Sequence, residues 1–131
     1  MEFTSVNKLY QEAFKKYWDR PAISNYQGMT LHYRDVARRI EKLHIMFEEC
    51  GLAKGDKVAL CSRNQANWAV AFLSAMTYGA VPVPLLHEFK SANIHHLVNH
   101  SEAKILFVDE VIWEGLSETE IPGLQAIIQV N

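Results

Sequence analysis

From Lys57 to the last residues the chain alternates short apolar runs with helical segments, and this order constrains its fold more than any other feature. The apolar runs are Lys57 to Cys61, Val81 to Leu85, Lys104 to Val108 and Ala126 to Val130. Between them lie Ala66 to Tyr78, Ser91 to His100 and Glu110 to Leu116, which read as helices. Strand–helix–strand alternation demands crossover connections and so a mostly parallel sheet with helices on both faces. The segment Ala66 to Tyr78 is apolar nearly all round, as in a helix that is buried or spans a membrane. At 13 residues it is too short to span, since a bilayer needs about 20. It is therefore expected inside the domain, ending at Gly79.

The N-terminal part has a different rhythm. Val6, Leu9, Tyr10, Ala13, Phe14 and Tyr17 fall at helical spacing, and Asp19-Arg20-Pro21 ends that helix because proline disfavours helix at the preceding residue. Ala22 to Tyr26 and Met29 to Tyr33 read as two strands joined by a turn at Gln27-Gly28, a β-hairpin. From His32 to Cys50 the apolar stripe Tyr33, Val36, Ala37, Ile40, Leu43 and Phe47 predicts a long amphipathic helix, capped at its end by a left-handed Gly51. The expected layout is a helix and hairpin over residues 1–33 and α/β alternation over 34–131.

Two particulars refine this layout. Pro82 and Pro84 lie two apart, so their missing N–H groups face the same side, and that side of the strand is expected to be weakly paired or at a sheet edge. The run Ala126 to Val130 reads as an interior strand, and a chain stopping on one is expected to be a fragment.

With 131 residues the chain matches the usual size of one domain and can bury roughly two thirds of its unfolded surface without a disulfide or metal. Thirteen basic and fifteen acidic residues give a net charge of −2, and no basic excess points to nucleic acid or to an anionic membrane. Cys50 and Cys61 form no CxxC pair and read as reduced thiols of a cytoplasmic protein, one at most peripheral to the inner face of the membrane. The N-terminus lacks the basic and apolar regions of a secretory signal.

Open α/β sheets bind ligands beyond the carboxyl ends of their strands. There the sequence offers neither GxGxxG nor GxxxxGK[ST]; after the first parallel strand it reads Ser62-Arg63-Asn64, with no glycine to admit a phosphate. Asp109 stands where a dinucleotide fold places a ribose-binding acid, but it is read as the cap of the helix starting at Glu110. His96 and His100 share a helix face at i,i+4, His95 points elsewhere, and no third ligand stands at the spacing a catalytic zinc needs. The six histidines therefore read as solvated or hydrogen-bonded. Ser62 and Ser74 lack a nucleophile-elbow pattern. Ser117 to Glu120 reads as a solvated turn. Trp18, Trp68 and Trp113 read as core residues. No catalytic, cofactor-binding or metal-binding residue is assigned.

Arg20-Pro21-Ala22-Ile23, Tyr33-Arg34-Asp35-Val36, Gly51 through Leu60 (with Lys54-Gly55-Asp56), Asn64, and Tyr78-Gly79-Ala80-Val81-Pro82-Val83-Pro84-Leu85 together resemble the opening of the AMP-forming ligase superfamily. Its members include acyl-CoA synthetases, luciferases and the adenylation domains of peptide synthetases. Ser101 to Val108 is similar to the segment that follows, and the likeness runs from about Arg20 to Val130. The specificity lies in the order of the pieces. His32 and Asp35 replace the threonine and glutamate of the family's capping box, so that cap is expected to be weaker.

The resemblance implies a parent enzyme that joins a carboxylic acid to CoA. The carboxylate attacks the α-phosphorus of ATP, pyrophosphate leaves, and the CoA thiol then displaces AMP, with Mg²⁺ stabilising phosphate charge. Trp68, Trp113 and the Pro84 to Phe89 stretch look nearest to long-chain fatty acid ligases, with a fatty acid as substrate. The family's catalytic equipment is a phosphate loop ending in Pro-Lys-Gly, an aromatic–acid pair, a ribose-binding aspartate and a lid lysine. None of it occurs before Asn131, so ATP, Mg²⁺ and CoA belong to the parent and the partner is the remainder of its own chain. Alternatives are an adenylation domain of the peptide-synthetase type, a stand-alone non-catalytic α/β interaction module of flavodoxin-like shape, or a stand-alone interaction or homodimerisation domain that uses its proline strand.

Overall fold

A computed structural model describes residues 6–25, 30–63 and 65–130. The expected turn at Gln27-Gly28 and the motif residue Asn64 lie outside the described residues. The elements are α1 (Val6–Lys16), β1 (Pro21–Ser24), β2 (Thr30–His32), α2 (Tyr33–Glu49), β3 (Lys57–Cys61), α3 (Ala66–Tyr78), β4 (Val81–Leu85), α4 (Ser91–Ser101), β5 (Ile105–Val108), α5 (Glu110–Glu114), a 3₁₀ turn (Glu118–Glu120) and β6 (Ala126–Gln129). β1 and β2 pair antiparallel as the hairpin, and the other four strands form a parallel sheet in the order β4-β3-β5-β6.

Alternation along the strands builds three layers. Val58, Leu60, Ile105 and Phe107 face one side of the sheet, where they pack with Phe47 of α2 and Ala71 and Ala75 of α3. Ala59, Cys61, Leu106 and Val108 face the other, against Ile94 and Val98 of α4 and Ile112 of α5. A third cluster joins the hairpin to this body: Leu31, Val36, Ile40, Ala66 and Val70, with Phe14 and Ile23 packed on it. The sheet therefore has apolar residues on both faces, and its strands read as apolar runs rather than as alternating patterns.

Local chemistry sets the ends of the elements. Gly79 closes α3 with φ of 94°. A side chain there would be strained in that conformation, and its Cβ would stand 3.2 Å from Lys54 Cγ. Gly51, with φ of 74°, follows α2 as expected. At the start of α2, Asp35 Oδ2 accepts from His32 N at 2.9 Å, so the replacement acid still returns the bond of a capping box.

Residues 118–120 form an exposed 3₁₀ turn, the solvated turn expected there, and Ile121 just after it is buried. Two expectations are corrected. α1 ends at Lys16, leaving Trp18 in the following turn and 40% exposed rather than in the core. Among the described residues β6 pairs only with β5 and lies at the end of the sheet, where an interior strand was expected. Sequence order carries no information on where a crossover lands, and here it lands outside β5.

The proline strand is the opposite edge. Val81 N donates to Asp56 O at 2.8 Å, so odd-numbered residues of β4 turn their N–H groups toward β3 and the ring nitrogens of Pro82 and Pro84 face outward. A second copy pairing along this edge gains no donor from either residue. Replacing both prolines with valine is expected to restore two outward N–H groups and promote self-association. Light scattering would show this as a mass that rises with concentration. A double variant with the same mass as the parent chain at every concentration would mean that the prolines do not guard this edge.

Candidate functional site

The strand order locates where an open sheet of this kind can bind a ligand. From β3 the chain moves to β4 through α3 on one face, then back past β3 to β5 through α4 on the other face. The loops leaving β3 and β5 therefore diverge to opposite faces, and a crevice opens between the carboxyl ends of these neighbours. Ser62, Arg63 and Gln65 border it from β3, and Asp109 from β5.

Protein groups fill that crevice. Asp109 is fully buried. Its Oδ1 accepts from Ile112 N at 3.0 Å, the capping bond expected from the sequence, while Oδ2 accepts from Arg63 N at 3.0 Å and Arg63 Nε at 3.2 Å. Burial alone would raise the Asp109 pKa; the N–H groups of Arg63 and Ile112 and the Arg63 guanidinium outweigh it and hold the carboxyl below its ordinary range. Ser62 Oγ donates to Arg63 O at 2.8 Å and accepts from Gln65 Nε2 at 3.0 Å. Cys61, buried beneath, has its thiol pushed up to about 11 by burial and by the Asp109 charge. A neutral thiol of that kind is no nucleophile at neutral pH.

At the helix N-terminus beside the crevice, a ready anion site in many α/β folds, the first N–H is also taken. Asn25, at the end of β1, accepts from Ala66 N through Oδ1 at 2.7 Å. Sequence reasoning missed this cap, because a capping residue is sought next to its helix and Asn25 lies 41 positions away. Both Asp109 oxygens and the first N–H of α3 are thus hydrogen-bonded within the chain.

A second depression lies between α2, α3 and the end of β6, with a volume of about 240 Å³. Its floor is Val70, Ala71, Phe107 and Ile128, with Arg39 and Lys42 on the α2 side. Arg39 Nη1 donates to Asn67 Oδ1 at 2.9 Å, and Asn67 Nδ2 donates to Val130 O at 2.7 Å, tying both helices to the edge strand. This is smaller than the roughly 300–1,000 Å³ of a typical ligand pocket.

Among the described residues no group of three histidine, cysteine or acidic side chains converges on a metal position. Two histidines are hydrogen-bonded as expected: His44 Nε2 lies 3.0 Å from Ser74 O and Thr77 Oγ1, and His95 Nε2 accepts from Ser117 N at 3.0 Å. No helix among the described residues is long and apolar enough to cross a membrane.

Comparison with known proteins follows the same outline. Residues 10–130 match the family model of the AMP-binding enzymes. Surfactin synthase subunit 2 of Bacillus subtilis is 26% identical over 108 residues, 82% of this chain and 3% of that protein. Long-chain-fatty-acid–CoA ligase 6 of Rattus norvegicus is 27% identical over 105 residues, 75% of this chain and 15% of that protein. This chain thus spans only a small part of the relatives it matches. A long-chain-fatty-acid–CoA ligase from Archaeoglobus fulgidus has the same fold over 94% of this chain and 26% of its own, with a TM-score of 0.81 at 23% identity.

Proposed function

This chain belongs to the AMP-binding enzyme family, and on that premise we propose that it is the N-terminal scaffold segment of an acid–CoA ligase. The family match across residues 10–130 supports the adenylate-forming class, and the similarity to long-chain-fatty-acid–CoA ligase 6 supports the acid–CoA reading within it. The parent enzyme converts a fatty acid, ATP and CoA to acyl-CoA, AMP and pyrophosphate through an acyl-adenylate. ATP, Mg²⁺ and CoA are held by the remainder of the same chain, which is the segment's principal partner. The segment itself contributes a parallel sheet at whose carboxyl edge Asp109 holds Arg63. The enzyme is cytoplasmic, at most peripheral to the inner face of the membrane.

A second reading, an adenylation domain that loads a carrier-protein thiol, is favoured by the similarity to surfactin synthase. Pyrophosphate exchange into ATP by the full-length protein separates the two. Exchange that depends on fatty acids, with acyl-CoA formed when CoA is added, supports the ligase. Exchange that depends on amino acids supports the second reading, and no exchange with either class of acid overturns both.

For the 131-residue chain alone, calorimetry with Mg-ATP is expected to show no saturable heat, because protein groups already occupy the crevice at the sheet's carboxyl edge. Saturable binding, abolished by adding excess AMP, would place a nucleotide site within this segment and refute the scaffold role.

A further inference from the structure

The outer face of α4 carries His96 and His100, one helical turn apart and both exposed. Their rings stack with centroids 5.8 Å apart and planes 16° from parallel. Other histidines are already engaged. His32 lies 3.4 Å from Asp35, His44 bonds to α3, His87 lies 3.9 Å from Glu88, and His95 accepts from Ser117. Ile94 and Val98 of the same helix point into the core, which fixes the helix and so presents the two imidazoles together to solvent. His100 stands in the last turn, where the carbonyl end of the helix dipole favours a cation.

We infer that His96 and His100 form a two-imidazole chelate for a late first-row divalent cation such as Zn²⁺. Imidazole nitrogen suits these metals, whereas Mg²⁺ and Ca²⁺ select oxygen ligands. Residues at i,i+4 place two rings on one helix face, the spacing that helical metal sites use. Two protein ligands leave the other tetrahedral positions to water. The site is therefore open and reversible, distinct from the closed arrangement of structural zinc.

Calorimetric titration of Zn²⁺ into the whole chain tests this, with Mg²⁺ as the comparison cation. Saturable Zn²⁺ binding is expected, with no response to Mg²⁺. His96→Ala and His100→Ala should each weaken it by roughly tenfold or more, since even a ligand's hydrogen-bonded supporting group matters on that scale. The double variant should lose it, and His87→Ala should leave it unchanged. Both positions are exposed and alanine is a better helix former, so circular dichroism should show all variants folded. Wild-type affinity in the double variant, or no saturable Zn²⁺ binding by the parent chain, overturns the assignment.

Discussion

Phe47→Ala is expected to cost about 3–5 kcal/mol of folding stability, the usual loss for deleting a buried aromatic ring. Phe47 has no exposed surface and sits where α2, α3 and the central strand β5 meet. Its ring packs edge-on against Tyr78, with centroids 5.3 Å apart at 78°, and against Phe107, at 6.1 Å and 79°. Aromatic pairs of this geometry add about 0.5–1.5 kcal/mol beyond burial. The ring's neighbours belong to three separate elements, so the space left by alanine cannot be closed by moving one side chain. A domain of this size has about 5–15 kcal/mol in total, so the variant should unfold at a far lower denaturant concentration with a similar slope. Ile45→Ala, on the same helix but 53% exposed, should stay within about 0.5 kcal/mol of the parent chain. Equal losses at positions 45 and 47 would show that α2 is not anchored through Phe47.

The contrast between these helix positions was legible in the sequence, where Phe47 lies on the apolar stripe and Ile45 beside it. The α/β body was legible for the same reason. Apolar runs bounded by Gly55 and Gly79 gave β3, α3 and β4 their observed limits, because both glycines adopt positive φ and mark where the chain must turn. Pairing between distant residues was not legible. The order β4-β3-β5-β6 depends on where each crossover lands, so the edge position of β6 could not be read from its composition. Trp18 was misplaced because periodicity runs smoothly past the point where α1 stops. At the crevice, the capping role of Asp109 is local and could be read from the helix that follows. Its bond to Arg63 spans 46 residues, and the Asn25 cap of α3 spans 41. Nothing in either local sequence announces such a partner.

Asp109→Ala is expected to cost about 3 kcal/mol, because it leaves the N–H groups of Arg63 and Ile112 without acceptors in a buried setting, each worth about 1–3 kcal/mol. The guanidinium adds little to that loss. The Arg63 side chain is 56% exposed and can be hydrated once its partner is gone, so Arg63→Ala, which keeps the backbone bond, should cost no more than about 1 kcal/mol. Asp109→Asn falls between them, at about 2 kcal/mol. Its oxygen can still cap α5, but its amide then meets the Arg63 N–H donor to donor. The pH dependence separates this from a simple loss of packing. The folded-state pKa of Asp109 is lowered, so its carboxylate stabilises the fold above the unfolded-state value of about 3.9. That contribution is lost as pH falls through the lower folded-state value. The amide of the Asp109→Asn variant does not titrate, so chemical denaturation should show the gap between parent and variant closing below about pH 4. A gap that widens in acid, or an Arg63→Ala loss equal to that of Asp109→Ala, would mean that the crevice is held by the exposed guanidinium rather than by the buried carboxylate and its two backbone donors.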